Sequence, residues 1–347
     1  MKTHARLGLL STFTVALALT ACGPERPQTP SDRDKPPPLE TPPTASASAS
    51  APPPAPTASG DKGKGMKALE AGDLATAKSA FEAAAKANPK DAEVVYYLGL
   101  VAEKSGDKAG AERSYRDALK MKPDLDAAAT NLGALLVEAG KLEDAIAVLK
   151  GALARRPDAP ELHLNMAIAL GQKGDQAAAT KEFDEAIRLQ PKDALYLLTY
   201  AQFLGQWKQG DAAIAKLKTA AGLAGQDVGV LASVGFELKN VGAFGDCVTV
   251  LDKAIGLKDA AELRTYRALC KLGNKDKAGS LADLQTAVQK EPGYGPAHFY
   301  LGGRYAEAGK WAEVVQEYET YLKLEPKGPL AKQAEERIKL AKTKMKK

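Results

Sequence analysis

Residues able to do chemistry are few in this chain and lie far apart. It has three histidines, His4, His163 and His298, and three cysteines, Cys22, Cys247 and Cys270. A zinc centre needs three or four His, Cys or carboxylate ligands, and a hydrolytic triad needs a nucleophile, a base and an acid that orients the base. None of these histidines stands at the short spacing from a second histidine or a cysteine that such motifs use. Carboxylates are plentiful but fall at helix starts and on repeat surfaces, and the glycines recur at turns without forming a phosphate-cradling loop. The reading is a non-enzyme with no catalytic residue, no metal and no cofactor. Cys247 and Cys270 are read as two buried free thiols; the alternative, in an oxidising compartment, is a bridge between adjacent helices.

The elements that position these residues follow from a periodicity. Pro89, Pro123, Pro157 and Pro191 are spaced by 34 residues, and Pro292 and Pro326 repeat that spacing. Counting back from each proline, small residues fall at one position: Ala77, Ala111, Ala145, Ala179, Ala213, Cys247 and Ser280. Four residues on stand Phe81, Tyr115, Leu149, Phe183, Leu217, Leu251 and Leu284, and three further on an alanine each time, which is one face of a helix. An earlier helix in each unit pairs a large residue with a tiny one, as in Leu98-Gly99, Leu132-Gly133 and Leu301-Gly302, which suits a close helix crossing. Glycines 72, 106, 140, 174, 242 and 309 mark the turn between the two helices, and Asp73, Asp107 and Asp175 suit the N-cap of the second.

This pattern resembles the tetratricopeptide repeat (TPR) signature. The resemblance implies an all-α, right-handed superhelical solenoid of about eight helix-turn-helix repeats, at 58–91, 92–125, 126–159, 160–193, 194–227, 228–260, 261–294 and 295–328. Within the array, at 61–328, units five to seven depart from the pattern: Gly210 comes two positions late, Gly225 and Asp259 replace prolines, and Arg267 and Lys271 stand where apolar or small residues are usual. Residues 329–347 read as a capping helix with a basic tail, whose buried face is Leu330, Ala334, Ile338 and Ala341. His163 and His298 fall where the family has a bulky packing residue, so a structural role is expected of them.

The first 60 residues are of another kind. Residues 1–21 have a basic start and a short apolar core, and Leu19-Thr20-Ala21-Cys22 resembles the bacterial lipoprotein signal. That resemblance implies cleavage before Cys22, lipidation of Cys22, and anchoring to a bacterial membrane, read as the outer membrane facing the periplasm. Residues 22–60 hold twelve of the 21 prolines, with an Ala-Ser alternation, and read as a disordered tether. At about 3.1 Å per residue it reaches roughly 120 Å. The net charge of +5 sits in the last 17 residues, a solvated tail and no nucleic-acid face.

Function is then expected in the groove that the first helices of such repeats line. The family's sixth position reads Tyr97, Asn131, Asn165, Thr199, Ser233, Tyr266 and Tyr300 here, flanked by Tyr96, Phe236 and Phe299. Asparagines donate and accept, so a row of them suits an extended peptide backbone; the other reading is that they bond within the array. The chain is read as a non-catalytic scaffold of the cell envelope that binds a protein or peptide partner. It touches membrane through its lipid anchor only and binds neither nucleic acid nor metal. Assembly of a pilus, secretion or wall-synthesis machine is the expected setting, as in TPR lipoproteins that support pilus secretin assembly. The alternative is a glycan- or peptidoglycan-binding protein whose aromatic side chains stack on sugar rings.

Overall fold

The computed structural model describes residues 60–346, so the leader, Cys22 and nearly all of the tether lie outside the described residues. Those residues form seventeen helices and no strand, in two compact units, 60–208 and 209–346. The all-α repeat class expected from the sequence holds.

The first unit contains α1 (Asp61–Glu70), α2 (Leu74–Ala87), α3 (Ala92–Lys104), α4 (Lys108–Met121) and α5 (Asp126–Glu138). It continues with α6 (Leu142–Leu153), α7 (Pro160–Lys173), α8 (Gln176–Leu189) and α9 (Ala194–Gln206). Packing is by consecutive pairs, α1 on α2 through α7 on α8, and each second helix also meets the next pair. Asp73, Asp107 and Asp175 accept from the backbone N–H groups of Thr76, Gly110 and Ala178, which starts α2, α4 and α8, whereas α6 begins after Lys141 without a side-chain cap. The small-large-small face closes the pair: Ala111, Tyr115 and Ala118 are wholly buried. A Cβ on Gly133 would stand 2.6 Å from Leu149 Cδ2, so only a glycine lets these helices approach as they do.

The second unit contains α10 (Gly210–Leu223), α11 (Val228–Asn240), α12 (Phe244–Leu257) and α13 (Ala261–Gly273). It ends with α14 (Lys277–Lys290), α15 (Gly295–Glu307), α16 (Trp311–Leu324) and α17 (Ala331–Lys344). Helix α17 packs on α16 through Leu330, Ala334, Ile338 and Ala341, all buried. Gly210 opens α10 and is not a turn residue; the left-handed turn before it falls to Lys208 at φ 62°, and the one before α14 to Lys275 at φ 65°.

Two departures noted in the sequence have physical causes in this unit. Arg267 Nε donates to Asp283 at 2.8 Å and Lys271 Nζ lies 2.9 Å from the same carboxylate, so an ion cluster replaces the usual apolar contact between α13 and α14. Asp283 is only 3% exposed. Burial opposes its ionisation, yet the bonds from Arg267 and Lys271 hold its carboxyl below the usual carboxylate range. Cys247 on α12 and Cys270 on α13 form a disulfide, which corrects the reading of two free thiols. Their Cα atoms are 6.0 Å apart because α12 and α13 pack directly, well within disulfide reach.

Candidate functional site

Within the first unit, the first helices of successive repeats set Asn131 and Asn165 in a seam and not in an open ladder. Asn131 on α5 is 2% exposed and its amide donates to the Tyr96 hydroxyl of α3 at 3.2 Å. Asn165 on α7 is 1% exposed and donates to the Thr130 carbonyl of α5 at 3.0 Å. Both amides thus bond across to the preceding first helix, the second of the two sequence readings. Thr199 turns its hydroxyl back to the Leu195 carbonyl, and the half-buried Ser233 does the same to Gly229.

The aromatic members are also inside. Tyr97 stacks on Phe81 with ring centroids 5.1 Å apart, and Tyr96 meets both Tyr97 and Tyr115. Phe236 packs edge-on against Tyr266, whose hydroxyl donates to Glu262. Phe299 is enclosed by Tyr300, Tyr318 and Tyr321. Neighbouring first helices approach closely enough to cover these faces, so none is open for stacking on a sugar.

Partly open positions lie beside the seam. In the first unit these include Glu103, Ala134, Glu138 and Ile168, with Leu195 38% exposed. Glu103 was not singled out from the sequence, although it occupies a position that the repeat family turns to the groove. It accepts from the Tyr115 hydroxyl, and burial raises its carboxyl above the ordinary range. The same burial, with the Glu103 charge beside it, drives the Tyr115 phenol far up, so Tyr115 stays a neutral donor. In the second unit Lys239 lies over the Phe236 ring, 4.6 Å from its centroid, and burial lowers its ammonium.

The two described histidines share one arrangement. His163 Nδ1 is 2.6 Å from Glu182 and its Nε2 2.9 Å from the Pro157 carbonyl. For His298 the partners are Glu317 at 2.6 Å and the Pro292 carbonyl at 3.0 Å. Each ring joins the turn before its helix to the second helix of its own repeat, so the structural role read from the sequence is given by hydrogen bonds as well as by bulk. Among the described residues no group of three His, Cys, Asp or Glu side chains could hold a metal ion, and no helix is long and apolar enough to cross a membrane.

Comparison with known proteins agrees with this geometry. Residues 63–126 and 136–203, both in the first unit, match family models described as tetratricopeptide repeat. A tetratricopeptide repeat protein from Parabacteroides merdae has a similar structure, at TM-score 0.50 and 20% identity over 66% of this chain and 91% of that one. Yeast Tom70 is similar at TM-score 0.59 and 16% identity, over 87% of this chain and 70% of its own. At these identities the likeness is one of fold. No curated protein sequence matches the chain. The chain therefore carries tetratricopeptide repeats, a fold that serves generally as a non-catalytic scaffold for protein–protein interaction.

Proposed function

We propose that this protein is a non-catalytic scaffold of the bacterial cell envelope, holding a partner polypeptide along the first helices of its repeats. The observation that carries the reading is the ordered face of α3, α5 and α7, built on a buried seam in which Asn131 and Asn165 tie each first helix to the one before. Such a seam fixes the spacing of the partly open side chains beside it, and preorganised surfaces of this kind bind with less ordering cost. Asn131, Asn165 and the rings around them are then the floor of the binding face, and Glu103, Ala134, Ile168 and Leu195 its accessible rim.

The address rests on sequence. Leader residues 1–21, an acylated Cys22 and a proline-rich tether to residue 60 would hold the repeats at a membrane, read as the outer membrane on its periplasmic side. The Cys247–Cys270 bridge supports an oxidising compartment such as the periplasm, since disulfides persist there and are rare in the cytosol. Assembly of a pilus, secretion or wall-synthesis machine is the setting this architecture suits.

A photoreactive residue placed at Ala134 or Ile168 in living cells tests the reading, with the exposed Asp117 on α4 as control. A discrete protein adduct at the first two positions and none at the third is the expected result. Adducts only at Asp117 would move the function off this face. Metabolic labelling with a fatty-acid analogue tests the anchor: Cys22→Ser is expected to abolish the label, and unchanged labelling would exclude lipidation at that residue.

A further inference from the structure

The two most exposed large apolar side chains of the described residues fall within six residues of each other, and lysines surround them. Leu340 on α17 and Met345 just past its end are each 55% exposed, against 38–47% for the other five large apolar side chains on the surface. Lys339, Lys342, Lys344 and Lys346 lie between and beside them, all exposed, and no acidic residue occurs from 337 to 346. Lys342 meets Glu319 of α16 at 2.9 Å. Lys339, Lys344 and Lys346 have no ion pair among the described residues.

Neither apolar side chain serves the core of the unit. Helix α17 packs on α16 through Ala331, Ala334, Ile338 and Ala341. At about 3.6 residues per turn, Leu340 stands on the side opposite Ile338 and one turn before Lys344. The acids of the helix, Glu335 and Glu336, lie in its first half. A lone exposed leucine would call for no explanation. Here the two largest apolar exposures coincide with a run of unpaired cations, so the surface is apolar and positive at once.

We infer that residues 339–346 dock on an anionic lipid bilayer, with Leu340 and Met345 entering the headgroup boundary and the lysines meeting lipid phosphates. Apolar side chains amid lysines are the makeup of helices that lie at such a boundary, and lysine stems cover apolar surface while their ammonium groups stay with the headgroups. Clustered lysines add their attraction to an anionic leaflet. An acidic polypeptide or a nucleic acid would match the lysines but offers no apolar layer to take up Leu340 and Met345. The contact adds to the Cys22 anchor and does not depend on it, so a tail read from the sequence as solvated becomes a second membrane contact.

The test places an environment-sensitive fluorophore at the exposed Thr343, as Thr343→Cys, in the full-length chain carrying Cys22→Ser, which has no acyl chain to recruit it. Vesicles are of phosphatidylcholine alone or mixed equally with phosphatidylglycerol. A blue shift on the anionic vesicles, reversed by salt, and none on the neutral ones is expected. The same fluorophore at the exposed Asp117 of α4 should stay unshifted, which separates docking by α17 from general adsorption. The vesicle concentration at half response should rise at least tenfold in Lys339→Gln with Lys344→Gln and Lys346→Gln, and severalfold in Leu340→Gln. All four positions are exposed and the buried face of α17 is kept, so circular dichroism should match wild type. An equal shift on both kinds of vesicle, an equal shift at Asp117, or a response that the lysine variant leaves unchanged would overturn the docking. A shift with polyglutamate and none with vesicles would also overturn it and give the surface to an acidic polypeptide. The scaffold reading is judged separately, by the adducts at Ala134 and Ile168, and the anchor by the fatty-acid label.

Discussion

Helix pairs α7/α8 and α13/α14, one from each unit, close with opposite chemistry around a shared device. In the first pair Met166 and Leu170 stand where the second has Arg267 and Lys271. In both, a basic residue early in the first helix meets an acid 19 residues on: His163 with Glu182, and Arg264 with Asp283. His298 with Glu317 repeats it in α15/α16. In α7/α8 the latch is a half-open supplement to an apolar interface. In α13/α14 three cations, Arg264, Arg267 and Lys271, crowd one buried carboxylate, so the latch has become much of the interface. The repeat geometry thus tolerates a change of core chemistry provided charge is matched locally. The unit that departs furthest also carries the disulfide.

The sharpest break of that comparison is Asp283→Ala. It leaves Lys271 without a carboxylate and Arg267 with only the exposed Asp252, 2.6 Å from its Nη1, and losing one partner of a buried ion group costs about 3–5 kcal/mol. Urea unfolding should show the second unit melting first, whereas Glu182→Ala in the first unit, where the acid is half exposed, should cost about 1 kcal/mol or less. Replacing the cluster together, as Arg267→Leu with Lys271→Ala and Asp283→Leu, is expected to be close to neutral, because apolar groups of similar volume do without desolvated charges. A triple variant as unstable as Asp283→Ala would show that the cluster is needed for packing itself.

Next in size is the bridge. Closing a 23-residue separation restricts the unfolded chain by about 3 kcal/mol. Thermal melting with and without a thiol reductant should separate by several degrees for wild type and not at all for Cys247→Ala with Cys270→Ala. Third is Gly133→Ala in the first unit. The new methyl would meet Leu149 at 2.6 Å, and overpacking of this kind costs about 1–3 kcal/mol. The Gly303→Ala counterpart in the second unit meets nothing closer than 3.6 Å and should be nearly silent in the same melt.

How much of this was legible differs with the kind of feature. Helix pairing could be read because a closing proline in six of the eight repeats and the small-large-small triplet, such as Ala111, Tyr115 and Ala118, are local consequences of one close helix crossing. The capping aspartates were equally local. The latch was legible in principle, since His163/Glu182 and His298/Glu317 share one spacing, but two matches mean little until packing shows both ring nitrogens engaged. The state of Asn131 and Asn165 was not legible. Whether an amide on a first helix faces a partner or the neighbouring helix depends on how tightly successive repeats approach, which no single repeat encodes. The Cys247–Cys270 pairing depended in the same way on α12 meeting α13.

The smallest expected effect distinguishes the latch of the second unit by pH. His298 Nδ1 faces a carboxylate and Nε2 a carbonyl, both acceptors, so the ring satisfies both only when doubly protonated. The Glu317 carboxylate therefore raises its pKa above the ordinary 6.5, against burial and with help from the Pro292 carbonyl. A raised value in the folded state means stability that is complete below 6.5 and is lost as the pH climbs through the raised value. Among the described residues, Glu317 is the carboxylate whose hydrogen bond and charge act on this ring. His298→Gln keeps one donor at every pH. Wild type should exceed it by about 1 kcal/mol in acid, and the gap should close in mildly alkaline solution. A gap that stays constant from pH 5.5 to 9 would mean that the ring acts by bulk alone, and the latch would then be a feature of charged partners such as Arg264 and not of histidine.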